Sequence, residues 1–295
     1  MNRAPPRTVS FADGRVRGAL GLGTWKMGES GRGTRAWRDE VAAVRRAIEI
    51  GYRTIDTAEM YGEGGAESVV GEAIAGALAA GDVARDDLFV VSKVYPHNAT
   101  ETGVVAACDR SRARLGLERI DLHLLHWRGA VPLARTVAGF EAAIASGRIG
   151  AWGVSNFDVA DLEELAALDG GAACAANQVW WSLGERGPET ALLPWQRARG
   201  LPLMAYSPID QGALARAGGR APLAAIAARL GCTPAQLALA ALLAEPLAMP
   251  IPKAVRAAHL QENWDAQRVT LGAEDRAAID RACPPPARRR PLAMN

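Results

Sequence analysis

Cysteine is scarce and scattered: Cys108, Cys174, Cys232 and Cys283 are all that 295 residues contain, and no two form a CxxC pair. That spacing excludes a disulfide framework and a zinc ribbon, and reads as free thiols in a reducing cytoplasm. Histidine is equally rare, and His123 and His126 share one segment without a Glu or Cys partner nearby, so no metal is expected. No apolar run approaches the length of a membrane span, and the first ten residues lack the apolar core of a signal peptide. A net charge of only +2 gives no electrostatic case for nucleic acid or an anionic membrane. The GxGxxG fingerprint is missing too, because Gly21-Leu22-Gly23-Thr24-Trp25 has no third glycine in place. Lysine is the sharpest deficit. Of 34 basic residues only Lys26, Lys93 and Lys253 are lysines. Where arginine fills nearly every cationic position, a lysine points to a task for a compact, tunable ammonium. Lys26 alone reads as an ordinary surface residue.

What is present is a chain rich enough in apolar residues, 49%, to bury a full core. Residues 8–20 hold two short apolar strands around Asp13-Gly14, a hairpin signal. After that, short apolar segments alternate with helical periodicity. Strands are expected at 54–56, 88–93, 120–126, 151–154, 175–179, 203–206 and 248–251, with a first one near 20–23. Helices are expected over 38–50, 67–80, 102–115, 133–146, 159–168, 189–199, 223–230, 234–245 and 258–267. Strands apolar on both faces and never joined by tight hairpins describe a parallel sheet covered by helices. Eight such units match a (β/α)8 TIM barrel with an N-terminal β-hairpin, and no Pro/Gly-rich linker divides it, so residues 1–295 read as one α/β domain.

In such a barrel the carboxyl ends of the strands face a common site. Asp56, Lys93, His126, Ser155-Asn156, Gln178, Tyr206 and Lys253 each follow directly on an apolar run. Singly, each has a plain structural explanation as a helix cap or a satisfied core group; together they point to chemistry. A lysine ammonium beside the Tyr61 phenol is expected to favour the phenolate and lower the tyrosine pKa, with Asp56 fixing Lys93. Tyr61 then serves as a general acid, and His126 orients or polarises a carbonyl oxygen. No nucleophile for acyl transfer and no carboxylate pair for glycoside hydrolysis is present, so the reductant must come from a cofactor. A Gly/Ala-rich insertion at 208–220 has the character of a mobile loop over the site.

Eight short segments, in order along nearly the whole chain, resemble the aldo-keto reductase superfamily. They are Leu22-Gly23-Thr24-Trp25, Asp56-Thr57-Ala58-Glu59-Met60-Tyr61-Gly62, Val91-Ser92-Lys93, Leu124-Leu125-His126-Trp127, Gly153-Val154-Ser155-Asn156-Phe157, Asn177-Gln178-Val179, Ala205-Tyr206-Ser207-Pro208 and Ile251-Pro252-Lys253. The resemblance implies NADPH-dependent reduction of aldehydes and ketones, with Asp56, Tyr61, Lys93 and His126 as the catalytic tetrad. It also implies that Ser155, Asn156 and Gln178 hold the nicotinamide carboxamide while Tyr206 stacks on the ring. Gly23, Thr24, Trp25, Ser207 and Pro208 would follow the cofactor. Lys253, Ala254, Val255, Arg256, His259, Glu262 and Asn263 would surround its adenosine end.

Two positions there depart from the family pattern, with Ala254 in place of a serine and His259 in place of an arginine. Histidine offers a weaker grip on a 2′-phosphate than a bidentate guanidinium. NADPH remains the expected cofactor, NADH is the alternative, and Arg256 is a stand-in cation. By the same analogy Trp25, Met60, Tyr95 and Trp127 form an aromatic substrate wall, with Trp180 and Trp181 near the mouth. A short tail after residue 283, carrying Arg288-Arg289-Arg290, predicts an open pocket. The expected substrates are small carbonyls, 2-oxoaldehydes such as methylglyoxal among them, in a bacterial, cytoplasmic, monomeric enzyme. Two rival readings stay open: a nucleotide-binding scaffold without turnover, and a lyase using Lys93 as a Schiff base.

Overall fold

A computed structural model describes residues 7–11, 14–213 and 221–294. Two short strands, β1 (Thr8–Ser10) and β2 (Val16–Gly18), pair antiparallel, so the hairpin expectation holds; Asp13 lies outside the described residues. Eight parallel strands follow: β3 (Gly21–Gly23), β4 (Thr54–Asp56), β5 (Phe89–Val94), β6 (Ile120–Leu125), β7 (Ile149–Ser155), β8 (Asn177–Trp180), β9 (Leu203–Tyr206) and β10 (Ala248–Pro250). They form one sheet in sequence order, and a parallel bridge between Gly23 and Lys253 joins its two ends into a barrel. Gly23 is required at that seam. A Cβ there would stand 2.5 Å from the Ile251 carbonyl oxygen.

Ten helices are described: α1 (Arg35–Ile50), α2 (Gly65–Ala80), α3 (Glu101–Leu115), α4 (Leu133–Ala145), α5 (Val159–Ala166), α6 (Leu192–Arg199), α7 (Ala221–Arg229), α8 (Pro234–Leu243), α9 (Ala257–Asp265) and α10 (Ala273–Ala282). Their starts follow local hydrogen bonding. The side chains of Thr34, Thr100, Asp158 and Thr233 accept backbone N–H groups at the first turns of α1, α3, α5 and α8. Asp158 and Thr233 belong to reciprocal capping boxes with Asp161 and Gln236. These caps explain why α1 begins three residues earlier than its apolar face suggests. The sequence pattern gives no signal for α10, whose buried side chains are only Asp275 and Ile279.

The hairpin closes the amino-terminal end of the barrel. Val9, Phe11 and Ala19 pack on the strand residues Phe89, Val91, Leu122 and Met249, and the Arg17 guanidinium lies 3.9 Å over the Phe89 ring. The helices bury a larger cluster outside the sheet, built on Val44, Ile74, Phe140, Trp152 and Leu260. Among the described residues no single helix is long and apolar enough to cross a membrane; α7 and α8 pass that test only as a pair bent by 82°.

Candidate active site

At the carboxyl ends of the strands lies a cavity of about 680 Å³. Asp56 is the last residue of β4 and Lys93 the penultimate residue of β5, and both are closed off from solvent, at 2% and 0% exposure. The Lys93 ammonium donates to both Asp56 carboxylate oxygens at 2.8 and 3.0 Å, to the Thr57 carbonyl at 2.8 Å, and to the Tyr61 hydroxyl at 3.1 Å. The Tyr61 ring turns its edge to His126, with centroids 5.7 Å apart.

Close loop packing places the phenol. Tyr61 opens a turn whose next residues, Gly62 and Glu63, have positive φ. This turn and the start of α2 rest on Gly28, where a Cβ would stand 2.1 Å from the Gly65 carbonyl carbon. Gly28 has φ of 76° and its N–H donates to the buried Glu40 carboxylate, so only glycine fits. Glu59, also buried, accepts from the Tyr95 N–H, Asn98 and Arg110, pinning the segment between Asp56 and Tyr61 to the loop after β5.

The electrostatics correct one expectation. Burial pushes the Tyr61 phenol up; Lys93 pulls it down and Asp56 pushes it further up, and the balance lies above the ordinary phenol value. The lysine therefore moderates the cost of burial instead of producing a phenolate, and Tyr61 keeps its proton at neutral pH. Burial opposes the Lys93 charge, but Asp56 and then Tyr61 outweigh it, leaving Lys93 above its usual value. Burial likewise raises the Asp56 carboxyl, against the pull of Lys93 and Gln178. His126 is driven well below its usual value by burial and then by Lys93, so its imidazole is neutral. Its Nδ1 is buried without a partner among the described residues.

A second group of residues organises the cavity floor. The Ser155 hydroxyl donates to the Gln178 backbone carbonyl at 2.8 Å. Asn156, at φ of 61°, donates to the His126 carbonyl and accepts from the Tyr206 hydroxyl at 2.9 Å. Gln178 donates to Asp56 at 2.7 Å. Gly23, Thr24, Trp25, Met60, Trp127, Ser207, Pro208, Lys253, His259 and Glu262 also line the cavity.

Several of the expected residues stand away from this cavity wall. Tyr95 does not line the cavity; it braces Trp127 edge-on at 6.0 Å and donates to Glu63. Ala254, Val255, Arg256 and Asn263 are off the cavity wall, Arg256 standing exposed at the start of α9 and Asn263 being a buried residue of that helix. Trp180 and Trp181 are also off the wall, Trp181 being buried with its indole N–H on Glu189. Lys26 is no ordinary surface residue: it lines the cavity with its ammonium 4.5 Å from the Trp25 ring centre. Lysine scarcity, which singled out Lys93 and Lys253, applied to it equally. Nor is the tail free. Arg289 donates to Asp158 and Arg290 to Glu185, Leu292 packs on the core, and Met294 reaches the cavity. In the loop after β9, Ile209, Gln211 and Gly212 line the cavity, while 214–220 lie outside the described residues.

A sequence model for the aldo/keto reductase family matches residues 19–283. The chain belongs to that family. Among curated relatives, methylglyoxal reductase YeaE of Escherichia coli is 45% identical over 94% of each chain. Methylglyoxal reductase DkgB of Salmonella typhimurium is 30% identical over 88% of this chain and 91% of its own. An aldo-keto reductase of Klebsiella pneumoniae solved in complex with NADPH superposes with a TM-score of 0.90 at 41% identity, over 99% of this chain and 100% of that one. This aldo/keto reductase is thus an oxidoreductase whose barrel matches its family fold.

Proposed function

We propose that the protein uses NADPH to reduce small aldehydes to alcohols, 2-oxoaldehydes such as methylglyoxal among them, with Tyr61 as the proton donor. The observation that carries this reading is the Tyr61 hydroxyl, 3.1 Å from a buried ammonium that is itself locked to Asp56. The cavity fits a dinucleotide. Gly23 borders it at the seam, and Lys26 and Lys253 line it without an ion pair to any described residue, as anion sites require. Bound NADPH supplies the hydride. Ser155, Asn156 and Gln178 would hold its carboxamide, Tyr206 its ring, and Lys253 with His259 its 2′-phosphate.

The chain's own residues do the rest. A carbonyl oxygen between Tyr61 and the neutral His126 receives hydrogen bonds from both, and Tyr61 passes its proton to the oxygen as negative charge develops there. The Lys93 charge stabilises the phenolate left behind. Trp25, Met60 and Trp127 exclude water from the reacting centre. We read residues 1–295 as one domain acting as a cytoplasmic monomer.

The lyase reading requires a neutral amine at Lys93, whereas Asp56 and Tyr61 hold it charged and its three donors are engaged. Turnover itself separates a reductase from a nucleotide-binding scaffold. Tyr61→Phe is expected to bind NADPH normally by fluorescence titration and to lose roughly 10²–10⁴-fold in kcat with methylglyoxal. Near-normal reduction by that variant would remove the acid assignment. The ratio of kcat/KM with NADPH and NADH decides the cofactor.

A further inference from the structure

We infer that Gln178 is a positioning residue for the proton donor, acting through Asp56, in addition to facing the cofactor. Its side chain, 1% exposed on β8, sends Nε2 to Asp56 Oδ1 at 2.7 Å. That bond fixes the amide orientation by chemistry. Asp56 Oδ1 already accepts from Lys93, and an ionised carboxylate is an acceptor only, so it is the amide N–H that meets it. The amide oxygen is left with no described partner, and Gln178 borders the cavity. Oε1 is therefore the acceptor offered to a carboxamide N–H of the dinucleotide.

The links form one chain: Gln178 to Asp56 at 2.7 Å, Asp56 to Lys93 at 2.8 Å, Lys93 to Tyr61 at 3.1 Å. Asp56 is 2% exposed, and among the described residues its side-chain donors are Lys93 and Gln178. With that donor gone, the carboxylate is harder to keep ionised, and a protonated Asp56 releases its hold on Lys93. The charged and titratable groups meeting at this point are Asp56 from β4, Lys93 from β5, Tyr61 from the loop after β4, and His126 after β6. The backbone of Gln178 is fixed as well, its carbonyl accepting from Ser155.

The inference rests on the reductase reading for its activity arm, and its second arm is independent of that reading. Gln178→Met removes the donor at nearly equal volume, and Gln178→Glu places a second carboxylate against Asp56, so that the two share a proton. At saturating NADPH, the acidic limb of the kcat profile is expected to move to higher pH by about one unit in Gln178→Met and further in Gln178→Glu. In the cofactor-free protein, the infrared band of a protonated carboxyl group, assigned by its loss in Asp56→Asn, is expected at higher pH in Gln178→Met than in the parent. Both shifts support the inference. If cofactor affinity falls while the kcat profile and the infrared titration stay at parental positions, Gln178 merely holds the cofactor and the inference is overturned. If the parent shows no turnover, the reductase reading fails and the infrared titration alone decides.

Discussion

Lys93 is the residue whose removal is felt most widely, because three neighbours depend on one ammonium. Replacing it with methionine leaves the Asp56 carboxylate fully buried without its counter-charge. Truncating one member of such a pair costs about 3–5 kcal/mol, most of it the penalty of the charge left behind. Lys93→Met is therefore expected to unfold at markedly lower urea and to lose turnover. The double variant with Asp56→Asn is expected to recover much of the stability but none of the turnover. Destabilisation of the double variant by the sum of the two single variants would show that the two residues are not coupled. The placement of these side chains was legible in the sequence, since a polar residue ending each apolar run marks a barrel's carboxyl face. The sign of the Tyr61 shift was not. It depends on how completely the phenol is enclosed, and enclosure is set by Gly28, Gly62 and Gly65 meeting across two loops.

Among the elements, β6 carries an anomaly short of its carboxyl end. His123 lies in mid-strand with no solvent exposure and neither ring nitrogen hydrogen-bonded to a described residue, its ring edge-on to Phe140 of α4. Burial lowers it to about 4. The unfolded chain then binds a proton near pH 6.5 that the native state refuses until about pH 4. Stability should fall as pH drops through that window, by about 3 kcal/mol for this one group, and hold steady above it. His123→Leu is expected to raise stability at pH 7 by about 1–3 kcal/mol and to flatten the acid slope, as read by urea midpoints at pH 7 and 5. An unchanged slope would show that His123 is not the sensor.

The tail is a second element whose place could not be read from its sequence. Nothing local directs 284–294 across the barrel mouth; Arg289 and Arg290 do so through Asp158 and Glu185, partners far away in the chain. Exposed pairs of this kind are worth about 0.2–1 kcal/mol each. Replacing both arginines with alanine is expected to leave the melting temperature nearly unchanged while raising KM for aromatic aldehydes roughly two- to fivefold, with kcat for methylglyoxal preserved. A KM equal to the parent's would remove Met294 from the substrate pocket.

For the molecule as a whole, strand order and barrel class followed from alternation alone, because eight short runs apolar on both faces admit few other solutions. Hairpin, strands and nine of the described helices matched. The helix that escaped notice, α10, carries too few buried side chains for periodicity to register, and the Gly272 N–H accepted by Asp275 marks its start instead. The seam tests the closure directly. Gly23→Ala drives a methyl group into the Ile251 carbonyl and is expected to cost about 1–3 kcal/mol and to weaken cofactor binding at the same time. Loss of either effect without the other would separate the seam from the site.

That same junction sets the order in which the protein comes into being. Gly23 and Lys253 stand near opposite ends of the chain, so their contact carries the largest loop-closure entropy in the sheet and forms late. Until the last strand leaves the ribosome, β3 waits as an unpaired edge, open to another nascent chain. The dinucleotide would lie along both lips of this join, with Lys26 on one side and Lys253 on the other. Saturating dinucleotide is therefore expected to raise the unfolding midpoint by clasping the two ends of the sheet, and an unchanged midpoint would place it away from the seam.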